Sequence, residues 1–459
     1  MIDFDDLAVR ARRYQASLDT RLVRPADAAL AALQRLDQPL PQAPSNPAAI
    51  LAELDEIGSP ATMAATGGRY FGFVTGGVLP AALGADWLAA AWGQNAAMDV
   101  MSPIAARLEE IALRWIGEAL HLPATGGALV TGATMANFTG LAAARETLLA
   151  RQGWNVSSQG LFGAPPIPVV VGGEVHASMR KALSLLGLGK DRVIQVPVDG
   201  QGRMRPGAFP TLTEPAIVCL QAGNVNTGAF DPALELIPLA KSSGSWVHVD
   251  GAFGLWAAAA PARAHLMAGY DQADSWTTDA HKWLNAGYDC GIALLRDAAP
   301  LRDALDVPAA YLSHGAQRQP MHYTPESSRR ARGVPVWAAL KSLGKQGLAD
   351  LVERCCRHAA HFAEGLTQGG FEVLNDVVLN DVVLNQVMVS FGTTEQTTAV
   401  IAAIQREGTC WCGSTQWQGR TAMRISVSSW ATTSEDVTRS LEAILRVAHQ
   451  TLEQGAPPS

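Results

Sequence analysis

From about residue 127 onward the chain alternates short apolar runs with helix-like segments, and this alternation limits the possible fold more than any other feature. "GALVTG" leads into "ATMANFTGLAAARETLLA", and "IPVVVGG" leads into "HASMRKALSLLGL". "DRVIQVPV", "AIVCLQA", "SWVHVDGAF", "DSWTTDA" and "CGIALLRD" follow. Short apolar strands joined by helical crossovers predict a mostly parallel sheet covered on both faces. In such sheets ligands sit beyond the carboxyl ends of the strands. The residues just after each strand are therefore the first candidates for function.

Composition narrows the partners. Of 459 residues, 48% are hydrophobic and 17% charged, as expected of a folded enzyme rather than a disordered chain. The net charge is −7 and no basic run stands out, which argues against nucleic acid or an anionic membrane. Cys355 and Cys356 are adjacent, and Cys410 and Cys412 are one residue apart. Neither spacing resembles a zinc site or a disulfide framework, so no metal is expected and the cysteines read as reduced. The stretch from Ala81 to Ala97 is interrupted by Asp86 and is too short to span a bilayer. The start, "MIDFDDLAVRARRY", lacks a signal-peptide core. A soluble cytoplasmic protein is expected.

Residues 3 to 37 read as helices with charged faces, and the prolines of "DQPLPQAPSNPAAI" break them. Ser102-Pro103 predicts a capped helix start, with Ile104, Leu108, Ile111 and Trp115 forming one buried stripe. From about 341 the pattern is helix, strand, strand and long helix, a smaller α+β domain. The tandem copy of "NDVVL" at 375–379 and 380–384 predicts an extended strand. The chain thus divides into a helical arm over 1–60, a large domain over 61–340 and a small domain over 341–459.

Four strand ends carry chemistry. Gly132-Ala133-Thr134 opens a helix, where backbone N–H groups and the helix dipole suit a phosphate; a plain cap is the alternative. His248 and Asp250 share one strand face, so Asp250 either caps the turn at Gly251 or pairs with a cationic ring nitrogen. His176 follows the strand ending at Val171, as a helix cap or as a flat ring against a planar cofactor. Lys282 lies one strand beyond Asp250, among Trp276, Trp283 and Leu284. An amine, an acid, a phosphate cradle and an aromatic platform together suit pyridoxal phosphate.

"VHVDGAFG" followed by "ADSWTTDAHKWLNAGYDCG" closely resembles the group II pyridoxal-phosphate-dependent amino-acid decarboxylases, the family of aromatic-amino-acid and glutamate decarboxylases. "GGRYFGFVTGG", "SPIAARLEEIALRWIGEALHLP", "NTGAFDP" and "SRRARGVPVWAALKSLG" carry the likeness over nearly the whole chain. The resemblance implies the α/β fold of PLP-dependent transferases (fold type I), with a mostly parallel sheet in the large domain. It also implies a homodimer whose active site lies at the interface. By matching position, Lys282 is the imine-forming lysine and Asp250 the partner of the pyridine nitrogen. His176 stacks on the ring, Ala252 packs on its other face, and Ala133, Thr134 and His281 hold the phosphate. Phe73, Val74 and Thr75 are expected beside the substrate.

The sequence departs from the family in three places. Asp279 stands where Asn is common, Asn224 and Asn226 stand where threonines are common, and the catalytic loop is short, offering Tyr323 beside His322. Asn226 is expected to contact the cofactor. Tyr323 is either the proton donor to the reacting carbon or a plain loop tyrosine. Arg332 matches an arginine that follows the loop, and Arg424 is a structural or a carboxylate-binding residue. The reaction implied is α-decarboxylation of an L-amino acid to the amine. A carbon–carbon lyase or an aldehyde-forming oxidative deaminase is the alternative, and a non-catalytic relative is a third reading that the intact Lys282, Asp250 and His176 oppose. A nicotinamide enzyme is excluded by the want of a G-x-G-x-x-G after an early strand.

Overall fold

The computed structural model describes residues 4–306, 318–378 and 381–454. They fall into two compact units. One comprises Val78–Arg357 with Asn375–Gln386; the other joins the N-terminal stretch through Gly77 to His358–Leu374 and to the stretch from Val387 onward.

The larger unit is built on seven strands: β1 (Gly126–Val130), β2 (Val169–Gly172), β3 (Ile194–Val196), β4 (Ile217–Gln221), β5 (Trp246–Asp250), β6 (Ser275–Asp279) and β7 (Gly291–Leu295). Their order is β1-β7-β6-β5-β4-β2-β3. β7 alone runs against its neighbours β1 and β6, so the sheet is mostly parallel as expected. The register places Gln221 opposite Asp250, and Asp250 opposite Thr277. Gly291 sits between Val130 and Asp279, and a Cβ there would come within 2.3 Å of the Gly132 backbone carbon. Only glycine lets the turn after β1 lie this close over the sheet.

The helix Ala133–Ala150 is small and apolar along most of its length, and it packs into the main core with Val130, Val171, Ile217, Cys219, Ala293 and Leu295. Each large apolar side chain so buried stabilises the fold by about 1.5–3 kcal/mol. Helix Pro103–Ala119 starts as predicted, with Ser102 Oγ accepting from Ala105 N and Pro103 in the first turn. Its buried face is displaced from the predicted stripe. Ala105, Glu109, Ala112 and Ile116 are buried, whereas Ile104 is 43% exposed. The displacement follows from Glu109, whose buried carboxylate meets Arg329 at 2.7 Å and Arg318 at 3.3 Å. A charge that pattern-reading sends to solvent is thus drawn inside by its partners.

The smaller unit holds a four-stranded sheet. Its members are β8 (Glu372–Val373), β11 (Gln386–Ser390), β12 (Gly413–Trp417) and β13 (Arg420–Ser426), ordered β12-β13-β11-β8. Helix Thr394–Glu407 carries a reciprocal capping box between Thr393 and Gln396. The N-terminal stretch is part of this unit rather than a separate arm over 1–60. Val23 N donates to Gly408 O at 2.8 Å, Phe71 N to Trp411 O at 2.8 Å, and the buried Arg69 binds the carbonyls of Thr409, Asp19 and Arg21. These partners lie far apart in sequence, so local composition carries no trace of them. Within the tandem "NDVVL", β9 (Val377–Val378) pairs antiparallel with β10 (Asp381–Val382), where the repeat predicts one extended strand. No helix among the described residues is long and apolar enough to cross a membrane.

Candidate active site

A cavity of about 350 Å3 opens at the carboxyl ends of the large sheet. Thr131 to Met135 line it from the β1 turn, His176 and Ser178 from the turn after β2, and Gln221, Gly223 and Val225 from β4 and its loop. Asp250, Ala252 and Phe253 follow β5, and Asp279, His281 and Lys282 follow β6. Most of the sequence-predicted cofactor residues therefore meet in one place.

Lys282 is held by its neighbours. Trp283 and Leu284 are fully buried, Ala286 N bonds to Ala280 O at 3.0 Å, and Asn285 N bonds to Lys282 O at 3.1 Å. This closes a tight turn that fixes the lysine backbone. Its Nζ lies 3.2 Å from Asp279 Oδ2. The other carboxylate oxygen, Oδ1, is buried with no hydrogen-bond partner among the described residues, and it lies 3.9 Å from where a Cβ on Gly132 would be. Asp279 thus faces both the amine and the turn that opens the helix. Cys290 N donates to His281 Nδ1 at 3.2 Å, so a neutral His281 carries its proton on Nε2, the nitrogen 3.7 Å from Asp279 Oδ2. Burial lowers the His281 pKa and outweighs the opposing pull of Asp279. Its ring stacks on Tyr288 at 4.4 Å.

His176 caps helix Ala177–Leu185: Ser178 N donates to its Nδ1 at 3.2 Å, and Ser178 Oγ lies 2.7 Å from the same nitrogen. The cap and the cavity-lining position coexist, because the cap uses Nδ1 and directs the ring proton to Nε2. Asp250 is 6% exposed. Its Oδ2 accepts from Asn137 Nδ2 at 3.0 Å and its Oδ1 from Ala252 N at 3.3 Å. The carboxylate is therefore met by donors within the chain while it still lines the cavity. First-turn N–H groups of helix Ala133–Ala150 lack intrahelical partners, which makes Ala133 and Thr134 suited to an anion.

Three expectations change. Asn226 is not among the cavity-lining residues. Asn224 Oδ1 accepts from both Asn226 N at 2.8 Å and Thr227 N at 3.2 Å, and the turn so formed presents Gly223 and Val225 instead. Tyr323 does not join Lys282 within the chain. It packs against the main core under the Arg318 guanidinium, 4.5 Å from its ring centre, and lines a separate cavity with His121 and Gly126. Gly126 begins β1, whereas the Lys282 cavity lies beyond its end. Phe73, Val74 and Thr75 belong to the smaller unit, where Phe73 is exposed and its ring lies 5.4 Å from that of Trp411.

Other residues find structural places. Arg332 Nε donates to Asp289 O and Oδ1 at 3.1 and 3.0 Å. Arg424 stands opposite Gly413 in the small sheet, and burial lowers its guanidinium to about 10. Sequence reasoning missed Asn137 altogether. Its one signal was an amide among the mostly small residues in the first half of helix Ala133–Ala150.

Comparison with known proteins agrees with this geometry. The pyridoxal-dependent decarboxylase conserved domain matches residues 31–387. Aromatic-L-amino-acid decarboxylase of Drosophila lebanonensis is 29% identical over 387 residues, 77% of this chain and 92% of that protein. Acidic amino acid decarboxylase GADL1 of Bos taurus is 28% identical over 289 residues, 60% of this chain and 55% of that protein. The crystal structure of Oryza sativa TDC with PLP and tryptamine superposes with a TM-score of 0.87 at 21% identity, covering 98% of this chain and 99% of that one. With more than half its length matched by the conserved domain, and with an amine, an acid and a helix N-terminus meeting in one cavity, the chain belongs to the pyridoxal-dependent decarboxylase family.

Proposed function

We propose that the chain removes the α-carboxylate of an L-amino acid as carbon dioxide and releases the amine, with pyridoxal 5'-phosphate as cofactor. The observation that supports this most is the convergence of Lys282, Asp250, His176 and the Ala133–Thr134 helix start on one cavity of about 350 Å3. The donor set suits the cofactor: a primary amine, a carboxylate braced by Asn137 and a helix N-terminus are the three groups that its aldehyde, ring nitrogen and phosphate require. When bound, the cofactor supplies a sink for the electron pair left on the α-carbon.

In this reading Lys282 would hold the cofactor through Nζ and would serve again in product release. Asp250 keeps the ring nitrogen protonated by offering it an acceptor. His176, its Nδ1 engaged by Ser178, would lie against the cofactor ring and would help to deliver a proton to the α-carbon. Ala252 leaves room for the ring where a larger side chain would collide. Ala133, Thr134 and His281 hold the phosphate. Phe253, Met135 and Val225 limit water around the reacting atoms.

The chain acts as a homodimer with its active site at the interface. This is supported by the apolar side chains exposed along the N-terminal stretch, Leu30, Leu33, Leu36, Leu40, Ile50 and Leu54. Its place of action is the cytoplasm, a reading supported by six buried cysteines, none of them joined in a disulfide among the described residues. A second reading, aldehyde formation, draws on the position of Tyr323 outside the Lys282 cavity, which takes one proton donor from the reacting carbon.

The deciding experiment is product analysis by mass spectrometry after incubating protein and pyridoxal phosphate with a panel of L-amino acids. An amine lacking the carboxylate supports decarboxylation and names the substrate. An aldehyde with ammonia moves the assignment to the second reading, and recovery of every amino acid unchanged removes both.

A further inference from the structure

Beneath Asp250 runs a line of buried hydrogen bonds that the reaction outlined above does not use. Asn137 Nδ2 donates to Asp250 Oδ2 at 3.0 Å, and Asn137 Oδ1 lies 2.9 Å from His248 Nε2. His248 Nδ1 lies 2.7 Å from Ser275 Oγ, which accepts from Trp246 Nε1 at 2.9 Å. Asn137, His248 and Ser275 are wholly buried.

The chemistry gives every link one direction. A carboxylate can only accept, so the Asn137 amide nitrogen faces Asp250 and its oxygen faces His248. An amide oxygen can only accept, so His248 Nε2 must carry a proton. The ring is neutral, because burial pushes His248 down to about 4 against the opposing influence of Asp250. Nδ1 is then an acceptor, and Ser275 donates its hydroxyl proton to it. The Trp246 indole can only donate, which leaves the Ser275 hydroxyl proton available for His248. Each donor in the line therefore points toward Asp250, from Trp246 on the same strand through β6, β5 and the helix Ala133–Ala150.

The approach of that helix is close. A Cβ on Gly140 would come within 2.9 Å of His248 Cε1 and 3.0 Å of Nδ1. Glycine at 140 lets the helix lie on the ring and bring Asn137 within reach of both His248 and Asp250. An interior amide with an unsupported oxygen would be costly, so Asn137 depends on His248 to hold its position.

We propose that His248, through Asn137, is a positioning residue that fixes Asp250 as an acceptor aimed at the cofactor ring nitrogen, with Ser275 setting its tautomer. The proposal rests on the reading that Asp250 meets that nitrogen. His248 touches neither cofactor nor substrate in this scheme. Its effect is on how firmly Asp250 is held.

The test measures pyridoxal phosphate affinity by absorbance and fluorescence titration for wild type, His248→Phe, His248→Gln and Asp250→Asn. Phenylalanine keeps the shape and loses both bonds, whereas glutamine places an amide N–H near Nε2. A bond to a charged group lost at one remove predicts an affinity loss of at least about tenfold for His248→Phe. His248→Gln should stay within about threefold of wild type, and kcat should fall in His248→Phe by more than KM rises. If Asp250→Asn weakens the cofactor but His248→Phe does not, the positioning role is overturned and the reading of Asp250 survives. If Asp250→Asn leaves affinity unchanged, both are overturned. Should His248→Phe fail to fold, long-range 15N spectra of histidine-labelled wild type decide. A proton held on Nε2 between pH 5 and 9 supports the proposal, and one on Nδ1 overturns it.

Discussion

His248→Gln also tests the burial of this histidine independently of any cofactor. The His248 side chain ordinarily titrates near 6.5 and is pushed down to about 4 in the fold, chiefly by burial. Above pH 6.5 it is neutral in both folded and unfolded chains and adds no pH dependence. As pH falls below 6.5 the unfolded chain takes up a proton that the folded chain refuses, so stability is lost until about pH 4. At about 1.4 kcal/mol for each pH unit, the loss over that window is about 3 kcal/mol. Asp231 acts in the opposite sense. Its carboxyl is raised to about 6 by burial, although Met204 N and Gln221 N both donate to it at 2.7 Å. The folded chain therefore protonates first, and stability rises as pH falls through 6 toward 3.8, by a similar amount. The two nearly cancel in wild type, so the informative quantity is the difference between wild type and variant at each pH. Urea unfolding of the cofactor-free protein should show His248→Gln gaining about 3 kcal/mol on wild type between pH 7 and pH 4. Asp231→Asn should lose a comparable amount on wild type over the same range. Parallel curves for wild type and His248→Gln would refute the reasoning, since they require a histidine that titrates alike folded and unfolded.

Lys282→Ala should abolish both turnover and the absorbance of lysine-bound cofactor; retention of either removes Lys282 from its role. Glu109→Ala leaves the fully buried Arg329 and the adjoining Arg318 without their carboxylate, and should destabilise the protein by about 3–5 kcal/mol in thermal or urea unfolding. A change below about 1 kcal/mol would mean that the pair is solvated. Tyr323→Phe should leave product identity unchanged by mass spectrometry, because the ring packs against the core under Arg318 rather than at Lys282. A shift of product from amine to aldehyde would restore Tyr323 as the proton donor.

The strands of the large sheet, the helix start at Gly132 and the residues that follow β2, β5 and β6 were legible in the sequence, because each rests on local periodicity or on a short motif. Lys282, Asp250, His176, Ala133 and Thr134 could be found that way, since strand order in a parallel sheet brings consecutive carboxyl ends to one edge, whereas Ala252 came from the family resemblance alone. Their gathering into one cavity is a consequence of that topology. What tertiary structure alone decided involves partners distant along the chain. Arg329 and Arg318 draw Glu109 inward and turn its helix off the predicted stripe. Thr409 and Trp411 bind the N-terminal stretch into the smaller unit. The turn at Asn224 exchanges Asn226 for Val225 at the cavity, and the core takes Tyr323 away from it. Asn137 is the sharpest case: an amide in a helix of mostly small residues has no meaning until its side chain lies 3.0 Å from Asp250 and 2.9 Å from His248. Hydrogen bonds and ion pairs act over a few ångströms whatever the separation in sequence. A local pattern can therefore announce which groups carry the chemistry, but only the packed chain determines which groups hold them in place.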